Sequence, residues 1–547
     1  MSTEGRCGLA GVCILVTALV GQVRAENEGE EDLDRATRLK VVASNLSELT
    51  AVIRLCESAL EKGLDEDDKA FAETLLASTR IRRGMEAAKE IFSRMPPDPR
   101  WPEYRRFALK DLEKGVELNP EQPQALLAIA KLNLLPGGDV DRTKKALDDA
   151  VRFSQEDPTL KAQALMLRAG LTEDSDKKLA DLDEAIRSAP NELLAIRARA
   201  GLFADQGENE KALTDLDRAV ELAPDHAPTY IARAVVLIEL GRYDDALIDL
   251  DKAHEIQPNS ALPFVHKARI RGLQEDFRAA LDELNRGHEI DSANVTVLIL
   301  RASVYQELEE SDKALADLED ALSLRPGLPE ALRLRAMVLA GEGKFDEAIA
   351  ELEKVQKAGP ADLTDQLRLA MFYAADEKAH KAIEIYTKVL EQEPENLFAL
   401  AGRANALLVI GKHAEAIADY EKALKLDPED SGVLNNLSWV LSTSPDDKIR
   451  NGKRALDLAL KACEVTQYKK AHILSTLAAA YAEMGDFKTA IKWSQKAVEF
   501  GSAEEQEALQ KELDSYRAEK PFRELLTAPE PEKEEAEESE KPEPEEP

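Results

Sequence analysis

The chain has 547 residues, 44% of them hydrophobic but only 5% aromatic, and carries a formal charge of −34. A single compact core does not grow to that length, so the chain either divides into several domains or extends its core lengthwise as a repeat array. The negative excess argues against nucleic acid, whose binding needs clustered Lys and Arg to displace counterions, and equally against acidic or anionic-lipid partners.

At the N-terminus, Arg6 precedes an apolar stretch from Cys7 to Val20 that is too short to span a bilayer, and Val23 and Ala25 form a small-residue cleavage pair. These features predict a signal peptide over residues 1–25 and a periplasmic or secreted protein, with no membrane insertion after cleavage; the alternative is an uncleaved anchor. An acidic, disordered leader is expected over 26–34. Cleavage would leave Cys56 and Cys463, near opposite ends of an elongated chain, so no internal disulfide is expected.

Residues 35–120 read as an irregular helical cap. One helix falls around "LSELTAVIRLCESALEKG" and a second around "KAFAETLLASTRIRRGMEAAKEIFSRM"; the break "PPDPRWP" follows. From residue 121 to 502 a period of 34 takes over. Prolines fall at 190, 224, 258, 326, 360, 394 and 428, and alanines hold two further columns, one from Ala200 through Ala404 and one from Ala212 through Ala416. Small residues at those places let two helices approach closely, while Leu216, Leu250, Leu284, Leu318, Leu352, Tyr386 and Tyr420 fill the space between neighbouring pairs. Gly207, Gly241, Gly343 and Gly411 mark the turn inside a pair, and the prolines close its second helix. A polar closing helix is expected over 503–527 and a disordered Glu/Pro tail over 528–547; the last nineteen residues hold ten glutamates against two lysines.

The pattern resembles the tetratricopeptide repeat, and "ARAVVLIELGRYDDALIDLDKAHEIQP" and "GRANALLVIGKHAEAIADYEKALKLDP" match it closely. The insertion-bearing "NNLSWVLSTSPDDKIRNGKRALDLALKACE" is similar to the last units of exported bacterial members. The resemblance implies an all-α, right-handed superhelical solenoid of about twelve helix-turn-helix units, and a protein-binding rather than enzymatic role.

A basic residue recurs one place before the first alanine column. Arg199, Arg233, Lys267, Arg301, Arg335 and Arg403 are each followed sixteen residues later by Asp215, Asp249, Glu283, Asp317, Glu351 and Asp419; Arg168 and Asp181 form a seventh pair with a shorter turn. Where the first place is apolar the second is too: Leu369 with Ile385, Leu437 with Leu458, Leu477 with Trp493, and Ile129 with Ala146. Seven charged pairs, four apolar pairs and no mixed unit imply that the two places touch, which assigns the cations to structural ion pairs rather than to a ligand.

No zinc-type pairing, phosphate loop, dinucleotide turn or serine elbow is present, so no catalytic, cofactor or metal residue is assigned; the seven histidines are scattered, and His254 and His288, 34 apart, read as helix-surface residues. The resemblance implies ligands in a concave groove lined by first helices. At its groove places stand Met337, Met371, Asn405, Asn435 and Trp439, which supply adaptable apolar contact, amides for a peptide backbone and an aromatic anchor. The family's clamp for a C-terminal carboxylate is poorly supported: Arg197 and Arg333 fit, but Gly201 and Met337 stand where asparagines belong. The expected function is a non-enzymatic scaffold or assembly adaptor for protein or peptide partners, without a cofactor. The alternative is a structural, self-associating envelope component whose groove is filled by its own tail or another copy. Oligomeric state stays open.

Overall fold

The computed structural model describes residues 28–93, 99–359 and 362–524. All elements among the described residues are helical; 27 helices pair through short turns into about thirteen units. The expected signal peptide and the Glu/Pro tail lie outside the described residues. No helix among them is long and apolar enough to cross a membrane. The chain forms two compact bodies, Met1–His266 and Lys267–Pro547.

The first body begins with a correction. Residues 28–42 form a helix where a disordered leader was expected over 26–34. Its acidic composition conceals an apolar edge: Leu33 and Ala36 are buried, and Asp32 receives Lys62 Nζ and Ser58 Oγ, both at 2.7 Å. Those contacts offset the ordering entropy that composition alone suggests would win. Helix Leu46–Lys62 follows, capped by Asn45, whose side chain accepts from the Ser47 and Glu48 amides while Glu48 reaches back to the Ser44 amide at 2.6 Å.

Helix Glu66–Phe92 packs against Trp101–Leu118 at two glycines. A Cβ on Gly84 would lie 2.7 Å from Leu112 Cγ, and one on Gly115 would lie 2.5 Å from Ile81 Cγ1. Only bare backbone fits there. The same interface buries Arg83, which forks onto Asp111 at 2.5 and 2.7 Å and donates to Thr50 at 2.8 Å. Regular pairs then run from Pro123–Asn133 with Val140–Phe153 to Ala227–Glu239 with Tyr243–Ile256.

The second body continues the pairing from Val295–Glu307 with Ser311–Leu324 to Ala471–Glu483 with Phe487–Phe500. Both alanine columns are fully buried wherever the pairs are regular, as at Ala336 and Ala348 or Ala404 and Ala416. Leu284, Leu318, Leu352, Tyr386 and Tyr420 are at most 3% exposed. The apolar substitutes for charged pairs join the core: Leu369, Leu437 and Leu477 are buried, with Ile385, Leu458 and Trp493 packed beside them. The closing helix is shorter than expected. It ends at Arg517, and residues 518–524 turn back without regular structure.

Most turns inside a pair use one left-handed residue. Gly207, Gly241, Gly343, Gly411 and Gly485 supply it with φ between 72° and 81°, whereas Glu275, Glu309 and Glu377 are held at φ 59° in the same place. Glycine adopts this conformation freely; a side chain there costs roughly 1–2 kcal/mol. Cys56 and Cys463 are buried thiols, and burial pushes them up to about 11 and about 12.

Candidate functional site

The arginine ladder has a definite geometry. Arg233 Nε and Nη2 donate to the two oxygens of Asp249, each at 2.7 Å. Arg199 with Asp215, Arg301 with Asp317 and Arg403 with Asp419 repeat this fork at 2.7 to 2.9 Å, and Arg335 Nη2 lies 2.8 Å from Glu351. Arg168 forks onto Asp181 at 2.9 and 2.7 Å across its shorter turn. Lys267 is buried at the corresponding place, and Glu283 meets Arg286 at 3.6 Å. The paired carboxylate raises the pKa of Arg199, Arg233 and Arg301 more than burial lowers it, so these groups stay charged.

Four of these arginines also reach backwards. Arg199 Nη1 donates to Asp183 at 2.7 Å and Arg233 Nη1 to Asp217 at 2.8 Å; Arg301 and Arg403 meet Asn285 and Thr387 at 3.2 and 3.1 Å. All four partners stand sixteen residues before the arginine, on the second helix of the preceding unit. One guanidinium therefore ties two units together. In these four the Nε, Nη1 and Nη2 donors all meet protein acceptors, which argues against the ladder as an anion site.

Exposed apolar side chains lie on first helices elsewhere. Met337 on Pro329–Gly341 is 41% exposed, Met371 on Leu363–Ala375 is 58%, and Phe398 on Leu397–Val409 is 78%. Phe398 was not singled out in the sequence, although it holds the second place of its first helix, one of the groove places. Arg333, at a fifth place, bonds Asp365, which is 1% exposed, and so is not free for a ligand carboxylate.

Asn405 and Trp439 come together in a cavity of about 230 Å³, with Leu408, Val409, His413, Asn436, Thr443, Ser444 and Glu524 around it. Asn405 is exposed, and its Oδ1 accepts from Tyr420 Oη at 2.5 Å and from Asn436 Nδ2 at 2.9 Å. Asn435 is not part of this lining. It is buried, with its amide donating to Asn436 Oδ1 at 3.1 Å, and is not presented to a peptide backbone. His413 Nδ1 lies 2.8 Å from Ser444 Oγ.

Trp439 already has a partner. Its Nε1 donates to Glu524 Oε2 at 2.5 Å, and its ring lies 5.9 Å from that of Phe522. No repeat column could signal either residue, because both stand beyond the array. Among the described residues no group of three or more His, Cys, Asp or Glu side chains could hold a metal.

Repeat models match the chain at four places. Those described as "Tetratricopeptide repeat" match residues 197–261, 398–430 and 471–500, and "Psidin, N-terminal TPR repeats region" matches 300–401. Among solved structures, YrrB, described as a TPR protein with an unusual peptide-binding site, is 26% identical; the match covers 34% of this chain and 95% of that one, with a TM-score of 0.29. A tetratricopeptide repeat protein from Parabacteroides merdae is 18% identical over 53% of this chain and 98% of its own, with a TM-score of 0.34. The Cut9–Hcn1 structure of the APC/C matches 76% of this chain and 93% of its own at 13% identity, with a TM-score of 0.38. No curated protein matches the chain. With its 34-residue columns, its paired helices and repeat models matched along the array, the chain is a tetratricopeptide-repeat protein.

Proposed function

We propose that the protein is a non-enzymatic adaptor that binds protein or peptide partners along the exposed face of its first helices, between Met337 and Trp439. Tetratricopeptide repeats typically mediate such binding. The observation that carries the reading is the series of exposed apolar side chains on successive first helices, Met337, Met371 and Phe398, leading towards the amides of Asn405 and Asn436. Methionine adapts to irregular partners and phenylalanine supplies a large contact area, while amides bond a peptide backbone. A free apolar series of this kind on a charged surface is what a partner covers.

The test is site-specific crosslinking. A photoreactive residue in place of Met371 or Phe398 forms an adduct with the same partner protein, and one in place of Ile248, 66% exposed on a second helix, does not. Adducts from the Ile248 position alone would overturn the reading. The apolar stretch Cys7 to Val20 and the small pair Val23 and Ala25 support export of the mature adaptor to the periplasm or beyond. Retention of the whole chain in the cytoplasmic fraction would contradict that.

A further inference from the structure

Residues 521–524 lie on the array as a short segment without regular structure, and every side chain after the proline has its own receptor. Phe522 packs into an apolar cluster with Trp439, Ala478, Ala482 and Tyr516. Arg523 Nη2 meets Glu483 Oε2 at 2.6 Å, and its Nη1 donates to the Ser442 carbonyl at 3.2 Å. Glu524 accepts the Trp439 indole N–H, and its own amide donates to the Thr443 carbonyl at 3.1 Å. Backbone pairing together with side-chain pockets is how proteins read extended peptides.

Two observations distinguish this segment from a permanent wall. All four residues are only half-buried, so little surface is lost when they leave. The segment hangs from the closing helix Gln506–Arg517 through Glu519, a non-glycine residue held at φ 56°. The Glu519 and Lys520 amides donate to the Tyr516 and Ser515 carbonyls, each at 3.0 Å, so this residue belongs to the helix cap, and the cap does not depend on the segment beyond it.

We propose that residues 521–524 are a built-in ligand that closes the Trp439 end of the groove in cis, and that an incoming peptide presenting an aromatic, a cation and a carboxylate on consecutive residues displaces them. This rests on the adaptor reading above and names the partner chemistry for that site. Phe522 and Glu524 hold the anchor that the partner's aromatic and carboxylate take over, while Glu483 selects the cation between them.

The experiment uses the full chain, a Phe522→Ala/Glu524→Gln variant, and a fluorescently labelled peptide of the segment's own sequence, KPFREL. Trp439 emission shifts to the red in the variant, and the shift disappears in a Trp439→Phe background. The peptide binds the variant at least tenfold more tightly than the unaltered protein. Glu524→Gln alone, which leaves Phe522 in its cluster, gives a smaller change in the same direction. Equal peptide affinity for both proteins, or no change in Trp439 emission, overturns the proposal. Loss of a dimer in the variant overturns it in favour of a second copy as occupant. An emission shift without peptide binding to either protein overturns displacement by this pattern, while the Met371 crosslink still decides the adaptor reading independently.

Discussion

Arg233 shows how a charged residue in an apolar helix serves a frame. Asp249 is 3% exposed, so removing the arginine leaves a buried carboxylate without its fork, whereas Asp217, with over half of its side chain exposed, loses little. Arg233→Leu is expected to destabilise the protein by about 3 kcal/mol, and adding Asp249→Leu to recover more than half of that. Asp217→Ala is expected to cost less than about 1 kcal/mol. Urea midpoints of the variants check this; equal midpoints for the single and double leucine variants would show that the side chains are uncoupled. The forward partner of each arginine was legible because units within one chain can be compared, and Leu369 with Ile385 behaves as an apolar counterpart. The backward partner was not, since Asp217, Asn285 and Thr387 share a place but not a chemistry.

At the scale of elements, the turn places predict their own improvement. Glu275, Glu309 and Glu377 are held left-handed where the other turns use glycine. Replacing any one by glycine relieves about 1–2 kcal/mol of backbone strain and returns roughly half of it as unfolded-state entropy. The net expectation is a gain of about 0.5–1 kcal/mol per site, measured by urea denaturation; a loss at all three sites would contradict it. Gly84 is the opposite case. Although alanine favours helix, its Cβ would meet Leu112 at 2.7 Å, and Gly84→Ala is expected to destabilise by about 1–3 kcal/mol in the same assay.

The closing helix carries a pH dependence. Glu512 is buried against Ala471–Glu483, where Ser475 Oγ donates to it and Tyr516, Arg523 and Glu524 lie in its surroundings. Burial pushes its carboxyl up to about 7, with Glu524 adding to the rise. A carboxyl raised in the folded state stabilises the cap fully below its ordinary value near 4.5, and that contribution is lost as pH climbs from there to about 7. Hydrogen exchange of the Gln506–Arg517 amides is expected to quicken across this window beyond its intrinsic pH dependence, and Glu512→Gln to abolish that excess. An excess unchanged by the substitution would assign the effect to another group. The paired helices were readable from columns of proline and alanine. The helix at 28–42 and the returning segment were not, because what orders them is contact with distant residues, Lys62 with Asp32 and Trp439 with Glu524.

At the scale of the molecule, a repeat array distributes stability over nearest-neighbour interfaces and leaves its surface free to vary. Here the charged columns stitch neighbouring units while the exposed apolar positions follow no charge pattern, so frame and recognition occupy different side chains. Deleting one need not disturb the other. The direct measurement of that separation is partner capture by two variants, Met371→Asp/Phe398→Asp and Arg233→Leu/Asp249→Leu, each assayed well below its own melting temperature. The account predicts that the first loses its crosslinked partner while the second keeps it. Retention by the first and loss by the second would contradict it.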